Sequence, residues 1–461
     1  MQKLTKKAAL PNVVQMPLVN VYAAGIDVGD TIHAVAIPEG LDDLRVRTFG
    51  TMTCDLEDIA NWLLKVGITT VAMESTGVYW KPLFSLLNKK GLEVYLVNSR
   101  QIKNVTGRKT DEDDAMWLQK LHSCGLLKSA FLPDAEQEAL RSLVRYRHSL
   151  VQDCSRFKNR MQKSLELMNI KFHTLFADLF GKTSQLFIEA ILAGERNPSA
   201  FLPLVANNVK AESAVILKSL EGNWRTEHIF TLRQSHEMIK TYQQHITETD
   251  IAIEAQLQQY EASVNNGEIT VTVQIDKPLN ETKAERKKKK KQQGAPLFNI
   301  RNYLEKIYGT DVLAIYGLNE MCGLEILSEV GTDLNKWETV KHFVSWLNLC
   351  PNNKISGGKL ISSKLLRKKP NTASQAFRTA ANAVQRSNHW IGDYFRRMKS
   401  KGGNKFASVA TGNKIATIFY NMVTQKKVFT PLDLAVYQDK QKRAKIAYYE
   451  RKLNELKTAA A

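Results

Sequence analysis

The sequence predicts an α/β domain at the amino-terminal end followed by a mostly helical region, and three observations predict it. Short apolar runs of strand character alternate with helix-period segments as far as "DEDDAMWLQKLHSCG". From Ala135 the apolar spacing changes to a seven-residue repeat. A lysine-rich stretch with few large apolar residues then precedes a second apolar-periodic region that starts at Leu297.

Taken in order, residues 1–20 read as a flexible arm. "VYAAGIDVG", "TIHAVAI" and "RVRTFGTM" read as three strands separated by Gly, Asp and Pro, the pattern of an antiparallel meander. "DLEDIANWLLKVG" is a helix ending at Gly67, and "ITTVAMES" is a strand. "TGVYWKPLFSLLNKKG" is a second helix, with Ser75 or Thr76 as its N-cap and Gly91 closing it. "LEVYLVNS" and "DEDDAMWLQKLHSCG" add a strand and a third helix. The resulting order is strand, strand, strand, helix, strand, helix, strand, helix. That is a ribonuclease-H-like order, three antiparallel strands extended by parallel ones with crossover helices covering the sheet.

A long helix runs from Ala135 to about Lys171, where Leu143, Leu150 and Phe157 recur at seven beside the companion series Cys154, Met161 and Met168. A second spans about His236 to Ala262, with Ile239, Ile246, Ile253 and Tyr260 at the same spacing. Two such seams predict either a helical hairpin or a coiled coil between subunits. The expected divisions are a flexible arm (1–20), an acidic α/β domain (21–135), a helical coiled-coil region (136–262), a basic linker (263–297), a mostly helical carboxy-terminal domain (298–430) and a basic helical tail (431–461).

Composition narrows the function. The 461 residues carry 65 Lys and Arg against 46 Asp and Glu, a formal net charge of +19, which suits a protein that displaces counterions from a polyphosphate. No apolar run approaches the roughly 20 residues that span a bilayer, and "MQKLTKKAALPNVVQMPLVN" has no signal-peptide core. The expected address is the cytoplasm, on the nucleoid when acting, with no membrane partner. Five scattered cysteines form no CxxC pair, and nine unclustered histidines form no paired metal motif, so neither a disulfide framework nor a zinc site is expected.

Against this basic background, "GRKTDEDDAMWLQ" concentrates Asp111, Glu112, Asp113 and Asp114. Asp111 and Asp114 are three apart on a helix and share a face. Asp27 ends the first strand in "GIDVG" and Glu74 ends the fourth in "AMESTG", so neighbouring strands bring both to one edge of the sheet. Carboxylates adjoining apolar strands are costly unless paired, and four of them together suit a hard divalent cation used in phosphodiester chemistry. The competing structural account makes Asp111 a helix cap and the other three acids partners of the helix dipole.

The segments "GIDVGDTIHAVAI", "AMESTGVYW", "VYLVNSRQIKNVTGRKTDEDDA" and "GLEILSEVGTDLNKWETVKHFVSWLNLCPNNKISGGK" resemble the insertion-sequence transposases of the DEDD type, relatives of the Piv-type DNA invertases and also described as bridge recombinases. The resemblance covers roughly Val21 to Pro133 and Asn299 to Phe429. It implies a RuvC-like catalytic domain whose four acids map onto Asp27, Glu74, Asp111 and Asp114, binding Mg²⁺; the pattern K-T-D-x-x-D-A selects Asp114 over Asp113. It implies a nucleophilic Ser356 in a carboxy-terminal serine transposase domain that links covalently to DNA. This chain reads "NLCP" where the family commonly has "GLxP" before that serine. The resemblance further implies donor and target double-stranded DNA, a non-coding guide RNA, and a homo-oligomer, a dimer that becomes a tetramer in the synaptic complex.

Around Ser356, Lys354, Lys359, Lys364, Arg367, Lys368 and Lys369 form the most basic stretch of its domain and are expected to hold phosphates. Lys287, Lys288 and Lys289, within the run Arg286 to Lys291, are expected to add sequence-independent attraction. The reading is a DNA recombinase that moves an insertion sequence. Its rivals are a junction-resolving nuclease that uses the same acids with water as nucleophile, and a non-catalytic nucleic-acid-binding protein whose acids only cap helices.

Overall fold

The computed structural model describes residues 17–75, 77–98, 110–130, 133–176, 178–207, 209–265, 296, 298–365 and 371–460. The chain divides into two compact units, Met1–Leu132 and Pro133–Ala461.

The first unit is a five-stranded mixed sheet with helices on both faces. Its strands are β1 (Ala23–Val28), β2 (His33–Ala36), β3 (Val46–Phe49), β4 (Thr70–Glu74) and β5 (Glu93–Val97), in the spatial order β3-β2-β1-β4-β5. β1 pairs antiparallel with β2 and β2 with β3, whereas β4 lies parallel to both β1 and β5. Strand character alternates by face, as a period of two requires. Ile26, Val28, Val35, Val71, Met73, Val94 and Leu96 form one core with helix α1 (Thr53–Lys65) and helix α2 (Trp80–Lys89). On the opposite face Ala34, Ala36 and Ala72 are small, and α3 (Asp111–Ser123) lies there through Ala115 and Leu118.

Helix α2 departs from expectation at its start. A turn at Gly77, whose φ of 56° favours glycine, delays the helix to Trp80, and Tyr79 stands at the cap position with no side-chain cap bond. Ser75 therefore lies outside the helix, and Thr76 lies outside the described residues.

The second unit is mostly helical. α4 (Ala135–Leu167) and α7 (Thr226–Asn265) are its long members, with α5 (Lys182–Ala193) and α6 (Ser213–Ser219) between them. Cys154, Met161 and Met168 of the first predicted seam share one core with Leu232, Ile239, Phe172, Phe187 and Phe201. Buried Arg147 pairs with buried Asp250 across the same helix pair. The apolar seams are thus spent on each other within one chain, which is the helical-hairpin form of the expectation. The second helix starts ten residues before the predicted His236.

Beyond the basic run, α8 (Ile300–Tyr308), α9 (Glu320–Val330), α10 (Val340–Trp346), α11 (Thr372–Ala383) and α12 (Trp390–Gln425) surround a core in which Tyr308, Phe343, Phe377 and Phe419 are fully buried. Gly402 and Gly403 interrupt α12 with non-helical backbone, the turn expected between two helices. α13 (Leu434–Ala460) is the predicted basic tail helix. An unexpected element is an antiparallel hairpin, β6 (Asn352–Ser356) and β7 (Lys359–Lys364). Among the described residues no helix is long and apolar enough to cross a membrane.

Candidate active site

The acidic edge of the first unit is assembled by a close approach between β1 and α3. Gly25 and Asp27 are two apart on β1 and point to the same face, opposite Ala36 and Ala34 of β2. A Cβ on Gly25 would lie 2.3 Å from the Gln119 amide nitrogen and 2.4 Å from the Ala115 carbonyl oxygen, so only glycine lets α3 rest on the strand. In the turn that leads into Ala115, the same helix presents Asp111 and Asp114 at its amino-terminal end. Glu74 ends β4 beside Val97 of β5.

The electrostatics register the proximity of these acids. The Asp27 pKa is raised from 3.8 to about 6, by burial first and then by the neighbouring charges of Asp111, Glu74 and Asp114 in that order. A backbone hydrogen bond from Val28 acts in the opposite direction. The four acids that the sequence singled out therefore share one end of the sheet.

Asp113 is engaged elsewhere. Thr110 caps α3, its Oγ1 accepting the Asp113 N–H at 3.2 Å and donating to Asp113 Oδ2 at 2.8 Å. The cap is thus Thr110 and not Asp111, which frees Asp111 from the role that the competing account gave it. Asp113 is also not among the charges that raise Asp27.

As a donor set, four carboxylates at one edge match a hard divalent cation, and their mutual repulsion is the strain that a cation relieves. Among the described residues no three His, Cys, Asp or Glu side chains stand close enough to hold a metal ion. The donors agree in kind and location, without converging on one point.

Ser356 lies in the second unit, at the end of β6, cross-strand from Lys359. Gly357 and Gly358 have φ of 55° and 73°, the backbone of a two-residue turn with positive φ at both central positions. Their open surroundings, with nothing within 4 Å of an added Cβ at either, also leave the backbone accessible. Lys354 and Lys359 share the face of Ser356, and Lys364 pairs with Asn352 on that same face. Arg367, Lys368 and Lys369, like Lys287, Lys288 and Lys289, lie outside the described residues.

Two family matches fall on these two groups of residues. Residues 24–170 match a transposase family, that of the IS110 DEDD transposases, and residues 310–396 match the transposase IS116/IS110/IS902 family. The chain belongs to the IS110-type DEDD transposase family. Together the matches take in about half of the chain; the first includes Asp27, Glu74, Asp111 and Asp114, and the second includes Ser356. No curated protein matches it. Membership makes this IS110-type transposase a DNA-acting protein of the cleaving and joining class.

The sequence reading missed Gly25 and Thr110, the two residues that position the transposase's acids. A glycine inside a strand is the signal for the first, since it marks close backbone approach. A threonine three residues before an acidic side chain at a helix start signals the second.

Proposed function

We propose that this transposase is a site-specific DNA recombinase that excises and inserts its insertion sequence by serine attack on DNA, assisted by a divalent cation. The observation that carries the reading is the raised Asp27 carboxyl, surrounded by Asp111, Glu74 and Asp114 at one end of the sheet. The strand order and directions support a ribonuclease-H-like, RuvC-like domain.

Asp27, Glu74, Asp111 and Asp114 would hold the cation, and the hardness of their oxygens favours Mg²⁺. That ion supplies charge stabilisation at the phosphate and at the leaving oxygen. The Ser356 hydroxyl forms an Oγ–P bond while the P–O3′ bond breaks; its proton leaves to a base, and the 3′ oxygen takes up a proton. Lys354, Lys359 and Lys364 hold the phosphodiester against the serine, with Lys287, Lys288, Lys289, Arg367, Lys368 and Lys369 adding charge from the flanking sequence. Because a phosphodiester is exchanged for a phosphoserine, the strand is later resealed with no external energy source. Selection of donor and target by a non-coding RNA, action by a homo-oligomer, and a cytoplasmic, nucleoid-associated location complete the proposal. The family resemblance supports all three, and the net charge of +19 supports the nucleic-acid partners.

Denaturing gels with labelled DNA test the reading. A protein–DNA adduct is expected with the native chain and lost in Ser356→Ala, but not in Ser362→Ala or Ser363→Ala. Normal cleavage by Ser356→Ala with no adduct trapped makes water the nucleophile and favours a junction-resolving nuclease.

A further inference from the structure

The hairpin that carries Ser356 keeps an apolar face in water. Its pairing sorts the side chains by face: Asn352, Lys354, Ser356, Lys359, Ser362 and Lys364 on one side, Asn353, Ile355, Leu360 and Ser363 on the other. Between the pairs Lys354↔Ser362 and Ile355↔Leu360, Ile361 has no residue opposite it and forms a bulge. Ile355, Leu360 and Ile361 are 66%, 59% and 68% exposed. An isolated two-stranded hairpin is marginal in water and needs something against its apolar face.

The charge identifies the occupant. Residues 352–364 hold three lysines and no acid, and all three lysines lie on the serine's face. That face suits a phosphate backbone, whereas the opposite face offers apolar side chains for the flat surfaces of bases. A duplex presents backbone and base faces to the two sides of a blade only where its strands have parted.

We propose that the β6–β7 hairpin is a strand-separating wedge for duplex DNA. Lys354, Lys359 and Lys364 follow the backbone of the strand offered to Ser356, and Ile355, Leu360 and Ile361 lie against the unstacked bases on the other side. The proposal rests on the reading of Ser356 as the residue that meets DNA, and it adds that the DNA there is opened by this chain's own side chains.

The test is binding to two probes, a short duplex and the same duplex with a central run of mismatches, read without cleavage. The native chain is expected to hold the mismatched probe about tenfold tighter, since a mismatched run spares the unstacking cost that an aliphatic wedge meets at a paired step. Ile355→Asn with Ile361→Asn should abolish this preference while leaving the salt dependence of duplex binding unchanged. Lys354→Ala with Lys359→Ala should weaken both probes alike and flatten the salt dependence. Equal binding of the two probes by the native chain, or an intact preference in the asparagine variant, overturns the wedge. So does a lower oligomer mass in the asparagine variant at unchanged preference, which would assign the apolar face to a second copy. Ser356→Ala should keep the preference; failure of serine catalysis therefore leaves this result readable on its own.

Discussion

Gly25 of β1 and Ala115 of α3 stand so close that a Cβ on the glycine would lie 2.4 Å from the alanine's carbonyl oxygen. The obstacle is helix backbone, which does not rotate away, so Gly25→Ala must lift α3 from the sheet. The expected cost is about 1–3 kcal/mol of stability, in the range for overpacked cores. Lifting α3 also carries Asp111 and Asp114 away from Asp27. Carbon-13 NMR titration should show the Asp27 carboxyl returning toward the ordinary aspartate range in Gly25→Ala, with DNA cleavage reduced at least about tenfold, as expected when a site is misplaced by about an ångström. An Asp27 titration that does not move would disconnect the glycine from the site.

Asp27→Asn should separate stability from function. The native pKa is raised to about 6 from 3.8, chiefly by burial and then by Asp111, Glu74 and Asp114. A raised acid contributes its full stability below about 3.8 and loses it as pH rises through about 6, so at pH 7 the ionised carboxylate is a net cost. Removing it should stabilise the cation-free protein by about 1–2 kcal/mol at neutral pH, after allowance for its partial exposure, and should abolish cleavage. Urea unfolding in a chelator checks the first outcome. An Asn variant less stable than the native protein at pH 7 would count against the crowded-acid description.

The strand order was legible because each strand is a short apolar run bounded by Gly, Asp or Pro, and each helix has its own apolar period. The acids were legible because a carboxylate at the end of an apolar strand is unusual. What assembles them was not, because the contact of Gly25 with Ala115 and Gln119 joins residues about ninety positions apart and leaves only a single glycine as its trace. The β6–β7 hairpin was missed for another reason. "NKISGGKLISSK" buries neither face, so it lacks the in-and-out alternation that a strand against a core shows, and only its turn was visible.

His122 should make the first unit acid-sensitive. Its ring is buried against Tyr95 and bonds Thr70 Oγ1 at 2.9 Å, and burial lowers its pKa from 6.5 to about 4. Above about pH 6.5 the ring is neutral in both states. As pH falls toward about 4, the unfolded chain takes up a proton that the folded one refuses, and up to about 3 kcal/mol of stability is lost. Asp27 acts in the opposite direction between about 3.8 and 6. The comparison is therefore between the native chain and His122→Gln, whose stability should fall less between pH 7 and pH 4.5; parallel curves would remove His122 from the account.

Glu329 should be a costly acid to remove from the second unit. It is 2% exposed and accepts from Arg145 Nε and Nη2 at 2.7 and 2.9 Å, with Arg141 Nε 3.4 Å away. Arg141 Nη2 also donates to its backbone carbonyl at 2.9 Å, so this cluster ties α9 to α4. Glu329→Ala would take the carboxylate from half-exposed Arg145 and leave a cavity beside Arg141, which keeps its bonds to the Ser328 and Glu329 carbonyls; with solvent screening of Arg145 the expected cost is about 1–3 kcal/mol. Denaturant titration should show it, and a loss below about 1 kcal/mol would mean that solvent reaches the cluster freely.

The neighbours Asp113 and Asp114 give the sharpest contrast, because one helical step separates a residue bonded to the Thr110 cap from one proposed to hold the cation. Asp113 exchanges two hydrogen bonds with Thr110, and Asp113→Asn touches only the one its carboxylate accepts, so it should weaken the start of α3 by about 0.5 kcal/mol or less and leave most cleavage activity. Asp114 is one of the charges that raise Asp27, so Asp114→Asn should lower the Asp27 titration and abolish cleavage. Thr110→Ala, which removes both bonds, should cost more than Asp113→Asn, which leaves the Asp113 N–H on Thr110 Oγ1, and the double variant should lose little more than Thr110→Ala alone. If Asp113→Asn abolishes cleavage while Asp114→Asn retains it, the acidic site is built from the other face of α3 and the assignment of the fourth acid must be exchanged.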